Sequence, residues 1–160
     1  MTPAALSSSA QRVQDAIAAR GFDYRVFELE VPVRTAADAA KAVGCEVGQI
    51  AKSLIFRGGE SGQSVLVITS GMNRVNEARV AAYLGESLLR AEPDFVKRVT
   101  GYAIGGIPPL GHAESSATFI DEDLLMFERI WAAAGHPNAL FELKPGDLAA
   151  MTSGSVTGVK

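Results

Sequence analysis

The sequence predicts an α+β fold in a single domain spanning residues 1–160, and three observations predict it. Segments rich in β-branched and aromatic residues are mixed with short amphipathic helices in no strict βαβ order. The 160 residues are 48% hydrophobic and 21% charged, an ordinary globular balance that can bury a core without metal or disulfide support. No internal repeat, low-complexity tract or linker divides the chain.

Leu6, Ala10, Val13 and Ile17 fall on one helical stripe. Ser8 with Gln11 predicts a capping box at the start of that helix, and Gly21 sits where a C-terminal glycine cap belongs. Residues 22–29, "FDYRVFEL", are aromatic and partly alternating, which predicts a strand. An alanine-rich helix follows over 35–43, opened by Thr35 and Asp38 as a second capping box and closed by Gly44. Residues 50–57 and 64–69 read as two strands joined by the turn "GGESGQ". Residues 65–68 are apolar on both faces, which predicts a central strand.

Residues 76–84 and 93–100 predict short helices on either side of "SLLRAE". Strands are expected at 118–121, 129–134 and 138–143, although "RIWAAA" fits a helix equally well by propensity. Between the first two of these strands, Glu122 and the acid-rich "DEDLL" are expected to cap a turn. A last helical turn spans 145–151, with Pro145 early and Asp147 near the positive end of the helix.

Charge narrows the function classes. The net charge is −3, and residues 102–160 carry three Lys/Arg against seven Asp/Glu, which accounts for the acidic excess. Proteins that coat long phosphate backbones are basic, so any nucleic-acid contact is expected to be local. Residues 1–20 carry Arg12, Asp15 and Arg20 and no long apolar run, so no signal peptide is expected. No apolar segment approaches the roughly 18 residues of a membrane helix. The chain therefore reads as soluble and cytoplasmic, with no membrane partner. A lone cysteine, Cys45, excludes an internal disulfide framework.

Two features could carry chemistry. Lys52 shares a strand face with Leu54 and Phe56, so its ammonium either reaches solvent at a strand end or meets an anionic or carbonyl oxygen of a ligand. The stretch "GGIPPLGH" puts three glycines, two prolines and His112 together. It is either a surface turn or a ligand loop whose glycines let backbone donors approach and whose prolines hold one shape. His112, His136 and Cys45 lack metal-ligand spacing, so neither a metal nor a cofactor is expected. Nucleophile-elbow, phosphate-loop and dinucleotide motifs are absent, and no general base is evident in the sequence.

The segments "AADAAKAVGCEVGQIAKSLIFR", "VNEARVAAYLG", "GYAIGGIPPLGH" and "AAAGHPNALFELKPGDLAAMT" occur together and in order. In this combination the chain resembles the YbaK/prolyl-tRNA-synthetase-associated domain family over about residues 22–151. The resemblance implies a curled, barrel-like mixed sheet with flanking helices. It also implies hydrolysis, in trans, of the ester that links a small wrong amino acid to tRNA-Pro or a related tRNA. Relatives use a lysine after the alanine-rich helix, here Lys52 followed by Ser53. They also use a G-x-x-x-P loop, here Gly105, Gly106, Ile107, Pro108 and Pro109, with His112 just beyond. A further segment lines the acyl pocket in relatives, and Gly135, His136 and Asn138 fall there; cysteine-specific members differ from this chain's "GHPN". The implied catalytic residues are Lys52, Gly105 and Gly106, and the others are implied to bind substrate. The implied partners are the acceptor end of an aminoacyl-tRNA and a synthetase. The competing expectations are a tRNA-end or nucleotide-binding module without turnover, and a domain that only docks on a synthetase.

Overall fold

The computed structural model describes residues 5–31 and 33–160; residues 1–4, at the start of the predicted domain, lie outside them. Helix α1 (Ser8–Ala19) buries Ala10, Val13 and Ile17, the stripe expected from spacing. Its cap is Ser7 rather than Ser8: the Ser7 hydroxyl accepts from the Ala10 amide. Beyond Arg20, Gly21 takes the positive φ of 82° that closes the helix. The strand expected over 22–29 is pared to β1 (Val26–Glu28), because only those residues find a partner strand. Phe22 and Tyr24 instead stack on each other against the core.

Helix α2 (Ala36–Val43) opens on Thr35, whose hydroxyl accepts from the Asp38 amide, and ends at Gly44 in the left-handed region. A 3₁₀ turn at Val47–Gln49 leads into β2 (Ile50–Gly58), which turns back into β3 (Ser64–Ser70). Next come α3 (Glu77–Leu84), capped by Asn76, then β4 (Leu88–Arg90) and α4 (Pro93–Thr100). The last elements are β5 (Ala117–Asp121), a 3₁₀ turn at Glu122–Met126, β6 (Ile130–Ala133), β7 (Ala139–Leu143), α5 (Pro145–Thr152) and β8 (Ser155–Thr157). The ambiguous "RIWAAA" is thus a strand, held between β2 and β7.

The strands form one mixed sheet in the order β1-β7-β6-β2-β3-β5-β8, with β4 paired to β2 off that path. The α+β class read from the sequence is therefore the observed one. As expected, β3 is central and every residue in it is buried. Leu66 and Ile68 face the main core beneath α1 and α4, while Val65 and Val67 face a second cluster with Val80 of α3. Covering both faces is what turns an alternating pattern into a continuous apolar run.

The sheet divides at β2. Along one edge β2 pairs throughout with β3. Along the other it pairs with β6 only at Ile50 and Ala51, and with β4 only at Phe56, Arg57 and Gly58. The edge between these contacts, over Lys52, Ser53, Leu54 and Ile55, has no neighbouring strand.

Candidate functional site

The unpaired edge of β2 opens a cavity of ≈ 570 Å³. Its walls come from the whole molecule: Arg34 and Thr35 before α2, Arg90 at the end of β4 and Ala91 after it, Val96 of α4, Gly105 and Ile107 of the glycine-proline loop, and Pro137 before β7. Most of the remaining lining is aliphatic. This is the mix of apolar walls and few convergent polar groups expected of a small-molecule site.

Lys52 projects from β2 on the face it shares with Ile50 and Phe56. Ile50 is covered by the cluster around Ala39, Ala40 and Leu140, and Phe56 by the cluster around Val65 and Val80. Lys52 and Leu54 fall between those two covers, in the cavity wall. The cross-strand neighbour of Lys52 is Thr69, whose hydroxyl donates to Asp121 at 3.2 Å. The Asp121 carboxylate also accepts from the Ser70 amide and Asn73 at Oδ2 and from the Asp123 amide at Oδ1, so it is engaged by partners other than Lys52. Among the described residues Lys52 has no hydrogen-bond or ion-pair partner. Arg34, Lys52 and Arg90 line the cavity with no carboxylate, histidine or cysteine among the lining residues. Three cations around one cleft, with no carboxylate among its lining residues, favour an anionic ligand.

Ser53 is the other unsatisfied group. The Gly71 amide donates to the Ile50 carbonyl, and the Gly58 amide to the Gln63 carbonyl. These bonds fix the antiparallel ladder so that the even positions of β2 pair with β3. Ser53 and Ile55 therefore direct their main-chain N–H and C=O groups toward the open edge. The Ser53 hydroxyl is buried and lacks a partner, which is unusual enough in a folded protein to require a reason.

The glycine-proline loop is anchored at both ends and in its middle. At its base the Ala113 amide donates to the Thr100 carbonyl and the Glu114 amide to the Val99 carbonyl. Inside the loop, His112 Nε2–H donates to the Pro108 carbonyl at 2.6 Å, which fixes the tautomer because a carbonyl only accepts. Burial pushes the His112 pKa below its ordinary value, against the opposing pull of that carbonyl. The Gly106 amide donates to the Ala103 carbonyl, closing a turn whose third residue, Gly105, has φ 102°. Such a turn requires glycine at that place. The Gly135 amide then ties the loop down by donating to the Gly106 carbonyl at 2.8 Å. A β-carbon on Gly106 would lie 2.7–2.9 Å from the His136 backbone.

Of the site residues expected from the sequence, Lys52, Ser53, Gly105 and Ile107 line the cavity. Gly106, Pro108, Pro109, His112, Gly135, His136 and Asn138 do not. Pro109 and His112 line a smaller cavity of ≈ 190 Å³. His136 Nδ1 accepts from the Asn138 amide, and the Asn138 carbonyl accepts from the Leu29 amide. Arg34, Thr35, Arg90 and Pro137 were not anticipated. No sequence signal marks the two arginines, since they come to share a cavity with Lys52 only through the split in the sheet. Cys45 lies outside this lining, and burial raises its thiol pKa, which disfavours a nucleophilic thiolate.

Comparison with known proteins is consistent over most of the chain. Residues 30–151 match the family described as "Aminoacyl-tRNA editing domain". A crystal structure of a candidate trans-editing enzyme for prolyl tRNA synthetase superposes with a TM-score of 0.93 at 46% identity, covering 98% of this chain and 99% of that one. Protein YwhH of Bacillus subtilis strain 168 is 32% identical over 123 residues, 77% of this chain and 78% of its own length. EbsC of Enterococcus faecalis, named as a candidate Cys-tRNA(Pro)/Cys-tRNA(Cys) deacylase, is 27% identical over 121 residues, 75% of this chain and 73% of its own length.

Proposed function

Because the chain belongs to the aminoacyl-tRNA editing domain family, we propose that it is a hydrolase that frees wrong amino acids from mischarged tRNA, acting in trans. The substrate would be tRNA-Pro or a related tRNA carrying a small amino acid. The observation that carries this reading is the cavity at the β2 split, where Arg34, Lys52 and Arg90 line apolar walls with no carboxylate among them. The aminoacylated 3′-terminal nucleotide of a tRNA supplies what such a site lacks: a phosphate, an ester carbonyl and a small side chain.

In this mechanism the Lys52 ammonium binds the terminal phosphate or the carbonyl end of the ester as a compact point charge. The Gly105 amide stabilises the oxyanion that forms when water attacks the carbonyl carbon. The Gly106 amide is already held by Ala103, so Gly106 serves by seating the loop. No lining side chain offers a base, and so a neighbouring ribose hydroxyl orients the water and relays its proton to the departing ribose oxygen. The carbon–oxygen bond of the ester breaks, releasing amino acid and tRNA. An aminoacyl ester is activated enough that positioning supplies much of the acceleration.

The test is a deacylation panel of mischarged tRNAs against wild type and Lys52→Ala. Hydrolysis of a tRNA carrying a small wrong amino acid by wild type, lost in the variant with the fold intact, is the expected result. Full activity in Lys52→Ala would remove the lysine from the mechanism. Tight binding of a 3′-aminoacyl-adenosine analogue without turnover would instead mark a non-catalytic module.

A further inference from the structure

The cavity has room for the end of a tRNA, and the remaining RNA must leave across its rim. Three rims are available, and they differ in charge. The rim before and within α2 carries Arg34 and Lys41, offset by Glu30 and Asp38. The β6–β7 rim, from Ala133 to Leu140, carries no lysine, arginine or carboxylate. The rim built from the far end of β2, β4 and α4 carries Arg57, Arg90, Lys97 and Arg98, with Glu92 and Asp94 at the start of α4.

Two of these cations share an aromatic platform. The Arg57 guanidinium lies 5.9 Å from the centroid of the Phe95 ring, and that of Arg98 lies 5.3 Å from it. Phe95 itself is anchored on the main core. Both arginines are exposed, and neither forms an ion pair among the described residues, although Asp94 lies one helical turn from Arg98. Glu86, the acid preceding β4, is occupied by the Glu60 and Ser61 amides of the β2–β3 turn. The platform also adjoins the cavity. Phe56 and Val96, the chain neighbours of Arg57 and Phe95, line it, and Arg90 pairs with Phe56 across the β2–β4 ladder. Arg90 stands two side-chain steps along the Lys52 face of β2, roughly 13 Å from it at about 3.3 Å per residue.

We propose that Arg57 and Arg98, held on Phe95, form a phosphate-binding ledge for the tRNA acceptor strand as it leaves the cavity. The proposal rests on the reading of the cavity as an acceptor-end site. Two like charges brought to one ring, neither paired with a carboxylate, are stabilised when an anion sits between them, and guanidinium groups suit phosphate oxygens. A ledge of this kind gives affinity without base readout and reconciles a chain of net charge −3 with an RNA substrate.

The experiment measures binding of uncharged full-length tRNA, and of a trinucleotide ending in CCA, to wild type and to the double variant Arg57→Gln/Arg98→Gln across a salt series. The double variant should bind full-length tRNA about tenfold more weakly, with the slope of log Kd against log salt reduced by about 1 for each arginine. Trinucleotide binding should not change, and Arg57→Lys/Arg98→Lys should recover part of the loss. Unchanged tRNA affinity and slope in the double variant would overturn the ledge, as would failure of wild type to bind tRNA. An equal loss on the trinucleotide would overturn it too, because the arginines would then belong to the cavity. Hydrolysis of an aminoacylated trinucleotide by wild type reads the proposed function separately: no hydrolysis with an intact tRNA effect removes the enzyme and leaves the ledge.

Discussion

The Gly135 amide donates to the Gly106 carbonyl at 2.8 Å, and this one bond joins the two glycine-bearing loops that the sequence singles out. It holds the backbone of Gly106 against that of His136, closer than any side chain allows. Gly106→Ala is therefore expected to cost about 1–3 kcal/mol, since backbone rather than a flexible side chain must yield. Gly105 would move with the loop, so kcat should fall as well. Gly146→Ala is the control, because a β-carbon there meets nothing within 4 Å. Thermal melts and single-turnover deacylation of both variants read the two effects, and equal melting temperatures would show that the loop contact is dispensable.

Ser53 gives the opposite separation of stability from activity. Its hydroxyl is buried and unpartnered, so Ser53→Ala should leave the melting temperature unchanged or raise it. If Ser53 lines the substrate site as proposed, the same variant should lower kcat/KM. A variant both as stable and as active as wild type would remove Ser53 from the site.

Arg34 and Arg90 line the cavity with Lys52. Each substitution to alanine should raise KM about tenfold while kcat holds, as expected for a contact made equally in ground and transition states. Steady-state kinetics check this directly, and a fall in kcat at unchanged KM would give the arginine a role in the chemistry instead.

His112 predicts a pH dependence of stability. Its folded pKa lies below the ordinary value of 6.5 because burial disfavours the imidazolium. The unfolded chain binds the proton more readily, so this contribution is complete above about pH 6.5 and is lost as pH falls through the folded pKa. Urea midpoints should thus decline on acidification below that point. His112→Gln should flatten the decline, at some cost in stability at neutral pH from the altered contact with the Pro108 carbonyl.

Much of the local structure was legible in the sequence because its causes are local. Thr35 and Gly44 bound α2, Pro93 starts α4, and the apolar run of β3 marks a strand covered on both sides. What was missed are elements that exist only through a partner. Residues 22–25 stay unpaired while 26–28 join β7, and β4 and β8, three residues each, add to strands distant in sequence. Ser7 rather than Ser8 caps α1, a shift of one residue between two equally suitable hydroxyls.

For the site, the sequence by itself determined that a lysine stands on an apolar strand face and that a stiff glycine-proline loop lies downstream of it. Residue type and strand period suffice for that. Only the tertiary structure decided what surrounds them. β6 and β4 pair with opposite ends of β2 and leave its middle open. That opening brings Arg34, Arg90 and Gly105 to the cavity of Lys52 and turns His112 and His136 toward holding loops. The physical reason is that strand pairing and the covering of its faces are long-range, so which cations share a cavity is written in the register of the sheet and in no single stretch of chain.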